Sequence, residues 1–180
     1  MKNWITLSRK TLLDRSPFLV VEEHSVLLPD GHIINDWSWV ITPDFVIVAV
    51  ITTDGKWLVF EQVKYAIGEV TLAPVGGYIQ PAEDALHAAK REVLEETGYE
   101  ATDWTFMGKY VVDANRGKAI GYLYLAQGAY PAAPVDSDDL EEQKLLFLSN
   151  KQIRKAVMEA EFKEMAYQTT MALALLTVDL

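Results

Sequence analysis

Glu92, Glu95 and Glu96 place three carboxylates within little more than one helical turn. At about 100° per residue they fall inside an arc of roughly 100°. Carboxylates this close repel one another, and like charges at i,i+4 destabilise a helix. They also lie in the C-terminal half of the helix predicted for this stretch, where the macrodipole disfavours anions. A hard divalent cation would offset both costs. Mg²⁺ takes carboxylate oxygens and keeps waters and phosphate oxygens in its octahedron. A solvated acidic helix face is the other reading of the same residues.

The element that must carry these side chains is well marked. Residues 82–97 hold alanines, leucines and charged residues with no internal Gly or Pro, so they predict a helix. Pro81 sits near its start, where a missing N–H costs nothing, and Gly98 sits where a C′ glycine belongs. Leu86, Ala89, Val93 and Thr97 share one face and should meet a sheet. Residues 72–77, Leu-Ala-Pro-Val-Gly-Gly, read as a loop without regular structure, whose glycines let backbone approach a ligand closely.

The rest of the chain supplies strands. Residues 18–27 and 32–41 flank the turn Pro29-Asp30-Gly31 and predict a β-hairpin. Residues 45–52 form a continuous apolar run, as in a strand buried on both faces. Asp54-Gly55 then turns the chain into residues 57–62. Residues 104–112 and 119–126 read as further strands around a polar loop, 113–118. A second polar loop over 131–142 leads to a short strand at 145–148. Ser149 or Asn150 can cap a helix reaching about Met158, and a last helix is expected over about 164–176. Hairpins and helices in this order predict a mixed α/β sheet domain.

Composition bounds the function. The chain has 180 residues, 50% of them hydrophobic, and its charged residues sum to 16 − 26 = −10. That length buries a substantial core in one domain with a small extension. The charge, with a pI near 4.7, argues against nucleic acid and anionic lipid as partners. Apolar runs are far shorter than the ~20 residues needed to span a bilayer. The first ten residues lack a signal peptide's apolar stretch. With no cysteine, disulfides, thiolate metal sites and a cysteine nucleophile are excluded, and a cytoplasmic location is expected.

Residues 77–99 read GYIQPAEDALHAAKREVLEETGY. They resemble the Nudix box, Gly-x5-Glu-x7-Arg-Glu-U-x-Glu-Glu-x-Gly-U, where U is bulky and apolar. Gly77, Glu83, Arg91, Glu92, Val93, Glu95, Glu96 and Gly98 match, and Tyr99 departs as an aromatic in an aliphatic position. The resemblance implies a Nudix α/β/α sandwich with a mixed β-sheet and a metal-dependent hydrolase of nucleoside diphosphates linked to another group. It implies Glu92 and Glu96 as principal Mg²⁺ or Mn²⁺ ligands, with Glu95 and the carbonyl of Gly76 assisting. Glu83 and Arg91 would hold helix and loop together by charge pairing, beside the structural glycines Gly77 and Gly98.

Beyond the box, the Pro29-Asp30-Gly31 hairpin, the strand from Phe45, the Asp54-Gly55 turn and Gln62-Val63-Lys64 are similar to the ADP-ribose pyrophosphatase branch. That likeness implies an N-terminal β extension, residues 1–42, which serves dimerisation and one edge of the substrate site. The hydrolase domain would be residues 43–180. It implies a homodimer and a catalytic glutamate before the last strand, where Glu141 fits best with Glu142 close behind; a solvated acidic loop is the other reading of those residues. Where that branch carries Pro-Gly after the box, this chain reads Asp113-Ala114-Asn115-Arg116-Gly117-Lys118, and Ala73 stands where it carries a glutamate. Arg116 and Lys118 are cations in acidic surroundings and could meet a substrate phosphate, as could Lys64; a surface role fits them equally. Trp37, Trp39 and Tyr65 could stack a base, or serve core and interface. His24, His32 and His87 show no metal spacing. The expected substrate is ADP-ribose or another nucleoside diphosphate sugar. The alternatives are a dinucleotide polyphosphate or other nucleotide, and a Nudix-fold nucleotide sensor without chemistry.

Overall fold

The computed structural model describes residues 1–136 and 142–178. In chain order the elements are β1 (Ile5–Arg15), β2 (Leu19–Leu27), β3 (Ile33–Ile41), β4 (Phe45–Thr52), β5 (Trp57–Val63), β6 (Val70–Ala73), β7 (Val75–Tyr78), α1 (Ala85–Thr97), β8 (Tyr99–Glu100), β9 (Asp103–Val111), β10 (Gly117–Lys118), β11 (Ile120–Pro131), β12 (Gln143–Leu148), α2 (Asn150–Met158) and α3 (Met165–Val178). They form two compact units, Met1–Asp44 with Tyr110–Ile120, and Phe45–Lys109 with Gly121–Leu180. No described helix is long and apolar enough to cross a membrane.

The first unit is a sheet in the order β1-β2-β3-β10. The expected hairpin is there, its turn closed by Gly31 N–H donating to Leu28 O (3.0 Å), with Gly31 at φ 91°. It belongs to a longer meander, because residues 5–15 pair with β2 from Ile5↔Leu27 to Arg15↔Leu19. Nothing in their pattern announces a strand: all eleven are exposed, so no buried face imposes alternation. The polar loop 113–118 ends in two residues that run parallel to Val40 and Ile41.

The second unit carries the mixed sheet. Its path runs β12-β5-β4-β11-β8, with β6 on β5, β7 on β4 and β9 on β11. β11 lies parallel to β4, while β5 and β7 pair with β4 in the antiparallel sense. The apolar run in β4 is buried on both faces, as its composition requires. Val46, Val48 and Val50 join a core with Ala88, Ala89 and Val93 of α1, together with Phe60, Val75 and Tyr124. Ala49 and Ile51 point the other way, into a core with Ile153 and Ala156 of α2, Phe162, and Met171, Ala174 and Leu175 of α3. The sheet therefore has helices on both faces, the α/β/α arrangement. Val93 is fully buried, a contribution of about 1.5–3 kcal/mol from removing its side chain from water.

Two local expectations are corrected near α1. The helix begins at Ala85, three residues later than the composition suggests. Ala82 has φ 66°, a left-handed conformation that a helix cannot pass through. Asp84 is instead the N-cap, its Oδ1 accepting from the N–H groups of Leu86 and His87 at 3.0 Å each. Residues 72–77 are also not a loop. They close β6 and open β7, with Pro74 between the two strands. A strand with two adjacent glycines has no side-chain alternation to read, so its signal was missing from the sequence. The C-terminal end of α1 is as expected: Gly98, at φ 73°, donates its N–H to Leu94 O at 2.8 Å.

Candidate functional site

The site grows from the contact between β7 and α1. Gly76 pairs with Ile47 and Gly77 with Val46, so β7 is held to the central strand. A Cβ on Gly76 would stand 2.6 Å from Ile47 Cδ1 and 2.7 Å from Val46 O. A Cβ on Gly77 would overlap the carboxylate of Glu92. Gly76 N–H reaches Glu96 Oε2 at 3.4 Å. The glycine backbone thus meets two carboxylates that lie one turn apart on the same shoulder of α1.

Arg91 organises the remaining acids. Its Nε and Nη2 donate to Oε1 and Oε2 of Glu83, each at 3.0 Å. Nη1 bridges Glu92 Oε1 at 2.7 Å and Glu95 Oε2 at 3.0 Å. Nη2 also donates to Tyr78 O at 3.1 Å, which ties the helix back to β7. All five guanidinium protons are used. The repulsion anticipated among the carboxylates is thus relieved within the chain, by a guanidinium between Glu92 and Glu95.

Glu83 takes two further donors, Gln80 N–H at 3.0 Å and His87 Nδ1 at 2.8 Å. Its carboxyl is held down from 4.5 to about 2, chiefly by the Arg91 hydrogen bond, against the opposing effect of burial and with help from Gln80 and His87. Arg91 is held protonated above its ordinary value, first by Glu83, with burial opposing and Glu92 and Glu95 adding. Glu92 is 12% exposed and Glu95 44%, so Glu92 faces inward and Glu95 faces solvent.

The donor set suits a hard cation. Glu92 and Glu96 offer carboxylate oxygens, and the Glu92 carboxylate can lie against the strand only because residue 77 has no Cβ. Among the described residues, no group of three or more His, Cys, Asp or Glu side chains is gathered into a cage for a metal ion. The positive charge amid Glu92 and Glu95 is that of Arg91.

Glu141 lies outside the described residues. The stretch leading to it leans on the end of α1: Gly98 O accepts from Ala132 and Ala133 N–H at 2.8 and 3.1 Å, and Glu95 O accepts from Asp136 N–H at 3.0 Å. Lys64 lies just after β5, in a turn where its carbonyl accepts from Ile67 and Gly68. Trp37, Trp39, Arg116 and Lys118 belong to the first unit. Trp37 donates its indole N–H to Asn115 O at 2.9 Å and meets Trp4 edge-on, with ring centroids 5.1 Å apart. Trp39 stacks on His24 at 5.4 Å. Arg116 is exposed, its N–H donating to Asp113 Oδ1 at 3.0 Å, and Lys118 pairs in register with Ile41. Both tryptophans have ring partners inside their own unit.

Two residues with a part in this arrangement have none assigned in the sequence reading: Asp84, which caps α1, and His87, which carries no metal spacing but bonds Glu83. Asp ahead of an apolar-periodic run is a helix-start signal, and Glu83 and His87 stand at i,i+4. Either signal could have found them.

A family model described as "NUDIX domain" matches residues 41–168. "Methanol dehydrogenase activator" from Bacillus methanolicus is 29% identical over 100 residues, a match covering 54% of this chain and 54% of that protein. The chain thus spans about half the length of that curated relative. A solved structure described as "Crystal structure of ADP compounds hydrolase" superposes with a TM-score of 0.82 at 20% identity, covering 99% of this chain and 96% of the other. At that identity the likeness is one of fold.

Proposed function

The chain belongs to the NUDIX domain family, and from that premise we propose that it is a divalent-metal-dependent hydrolase cleaving the pyrophosphate of a nucleoside diphosphate joined to another group, with ADP-ribose or a nucleoside diphosphate sugar as substrate. The observation that carries this reading is the meeting of Glu92 and Glu96 with the Gly76-Gly77 backbone. A bound Mg²⁺ or Mn²⁺ would supply charge neutralisation at the pyrophosphate and a more acidic water. Glu92 and Glu96 would hold it, with Glu95 and the Gly76 carbonyl assisting. Arg91 keeps the carboxylates in place, and Glu83 keeps Arg91 in place. The carboxylates of this shoulder exclude bare phosphates and accept them with a cation.

The same reading carries a homodimer, and the first unit offers a surface for it. β1 is the edge of its sheet, exposed over all eleven residues, with Ile5, Leu7, Leu12 and Leu13 among them. Such an edge is a ready template for another chain. A cytoplasmic location is part of the reading, since a chain without cysteine needs no oxidising compartment.

The experiment is a phosphate-release screen coupled to a phosphatase, run over nucleoside diphosphate sugars and dinucleotides with Mg²⁺, with Mn²⁺ and with EDTA. Release that depends on the cation and favours nucleoside diphosphate sugars supports the reading. Release that persists in EDTA overturns the metal dependence. Release from dinucleotide polyphosphates alone moves the substrate to that class.

A further inference from the structure

His87 lies outside the box positions, yet the fold gives it a defined partner. Its side chain is 70% exposed, while that of Glu83 is only 8% exposed. Glu83 is ionised at neutral pH, so it only accepts, and the His87 ring must carry its proton on Nδ1. Each Glu83 oxygen has two donors: His87 Nδ1 and Arg91 Nε on Oε1, Gln80 N–H and Arg91 Nη2 on Oε2. The Arg91 atoms Nε and Nη2 lie in one rigid plane with Nη1, and Nη1 is the atom holding Glu92 and Glu95.

From this geometry we infer that His87 is a positioning residue for the cation-binding shoulder, acting through Glu83 and then Arg91. The terminal torsion of a glutamate is broad and roughly two-fold, so its carboxylate turns easily unless donors fix it. His87 fixes the Oε1 side. That sets the plane of Glu83, the plane of Glu83 sets the plane of the guanidinium, and the guanidinium aims Glu92 and Glu95. The inference rests on the hydrolase reading only in taking Glu92 as a cation ligand. If the His87–Glu83 bond merely steadies the first turn of α1, its loss lowers the melting temperature and leaves cation affinity alone.

The test uses the full chain with His87→Ala and His87→Asn, Asn being the variant whose amide N–H can stand where Nδ1 stood. Mn²⁺ binding is read without substrate, from the electron paramagnetic resonance signal of free Mn²⁺. The Arg91 Nε–H signal is followed by ¹⁵N NMR in the metal-free chain. Removing groups just behind metal ligands weakens affinity about 10- to 100-fold, and His87 stands two links further out, behind Glu83 and Arg91, so His87→Ala should weaken Mn²⁺ binding about 3- to 10-fold. His87→Asn should stay within about twofold of wild type. The Arg91 signal should broaden or shift in His87→Ala and return in His87→Asn. Unchanged Mn²⁺ affinity in His87→Ala, or no recovery with Asn, overturns the inference. A wild-type chain that binds no Mn²⁺ overturns the hydrolase reading instead, and the Arg91 signal then decides by itself whether His87 holds the guanidinium.

Discussion

The Glu92 carboxylate fills the space in which a side chain on Gly77 would begin. Helix and strand can approach this closely because residue 77 is glycine. The carboxylate cannot draw back freely, because Arg91 Nη1 holds its Oε1 at 2.7 Å.

Gly77→Ala and Gly76→Ala should therefore fail in different ways. At residue 77 the new methyl displaces the end of a side chain, so the fold survives and the site suffers: a loss of about 10- to 100-fold in cation affinity or turnover is expected. At residue 76 the methyl meets Val46 O and Ile47 inside the sheet, and a destabilisation of about 1–3 kcal/mol is expected. Denaturant melts and Mn²⁺ binding, measured on both variants, separate the two. Equal loss of stability in both would contradict the assignment.

Glu96→Gln should lower turnover by orders of magnitude while leaving the thermal melt close to wild type. It keeps the size of the side chain at Gly76 N–H and removes the charge that a cation needs. EDTA should abolish turnover in the wild type, with Mg²⁺ or Mn²⁺ restoring it. Wild-type turnover in Glu96→Gln would remove Glu96 from the ligand set.

Glu83 makes stability depend on acid. Its folded-state carboxyl titrates at about 2, below the ordinary 4.5, so the unfolded chain binds the proton more readily. The contribution is present in full above about pH 4.5 and drains away as the pH falls to about 2. In Glu83→Gln this part of the acid dependence should vanish. Melting temperatures from pH 6 to 2 in both proteins measure it, and parallel curves would show that Glu83 is not the group responsible.

Light scattering should return twice the 20.2 kDa mass of one chain. Charge placed on the exposed edge, as in Leu7→Lys with Leu13→Lys, should return the monomer mass without unfolding the protein. A wild-type monomer would remove the dimer from the proposal.

Legibility in the sequence varied with the kind of signal. β4 was read to the residue because burial on both faces makes every position apolar. α2 was read closely because Ser149 caps it, its side chain and that of Gln152 forming a capping box. β1 was not seen, because an exposed edge strand needs no alternation. β7 has no strand signature in the sequence, because glycine leaves no pattern. The start of α1 was misplaced, because alanine favours a helix in general, while Ala82 here turns left-handed.

The sequence by itself determined the family, the helix that bears the acids, and the identity of Glu83, Arg91, Glu92, Glu95 and Glu96. Those follow from residue types at set intervals along one helix, which local geometry carries without further help. The tertiary structure decided what those acids touch. Only the pairing of β7 with β4 brings Gly76 and Gly77 to the helix. Only the turn over residues 80–84 folds Glu83 back onto Arg91 and His87. A helical period places side chains on one face but does not say what lies across from that face, and here it is a glycine backbone on one side and a shared guanidinium on the other.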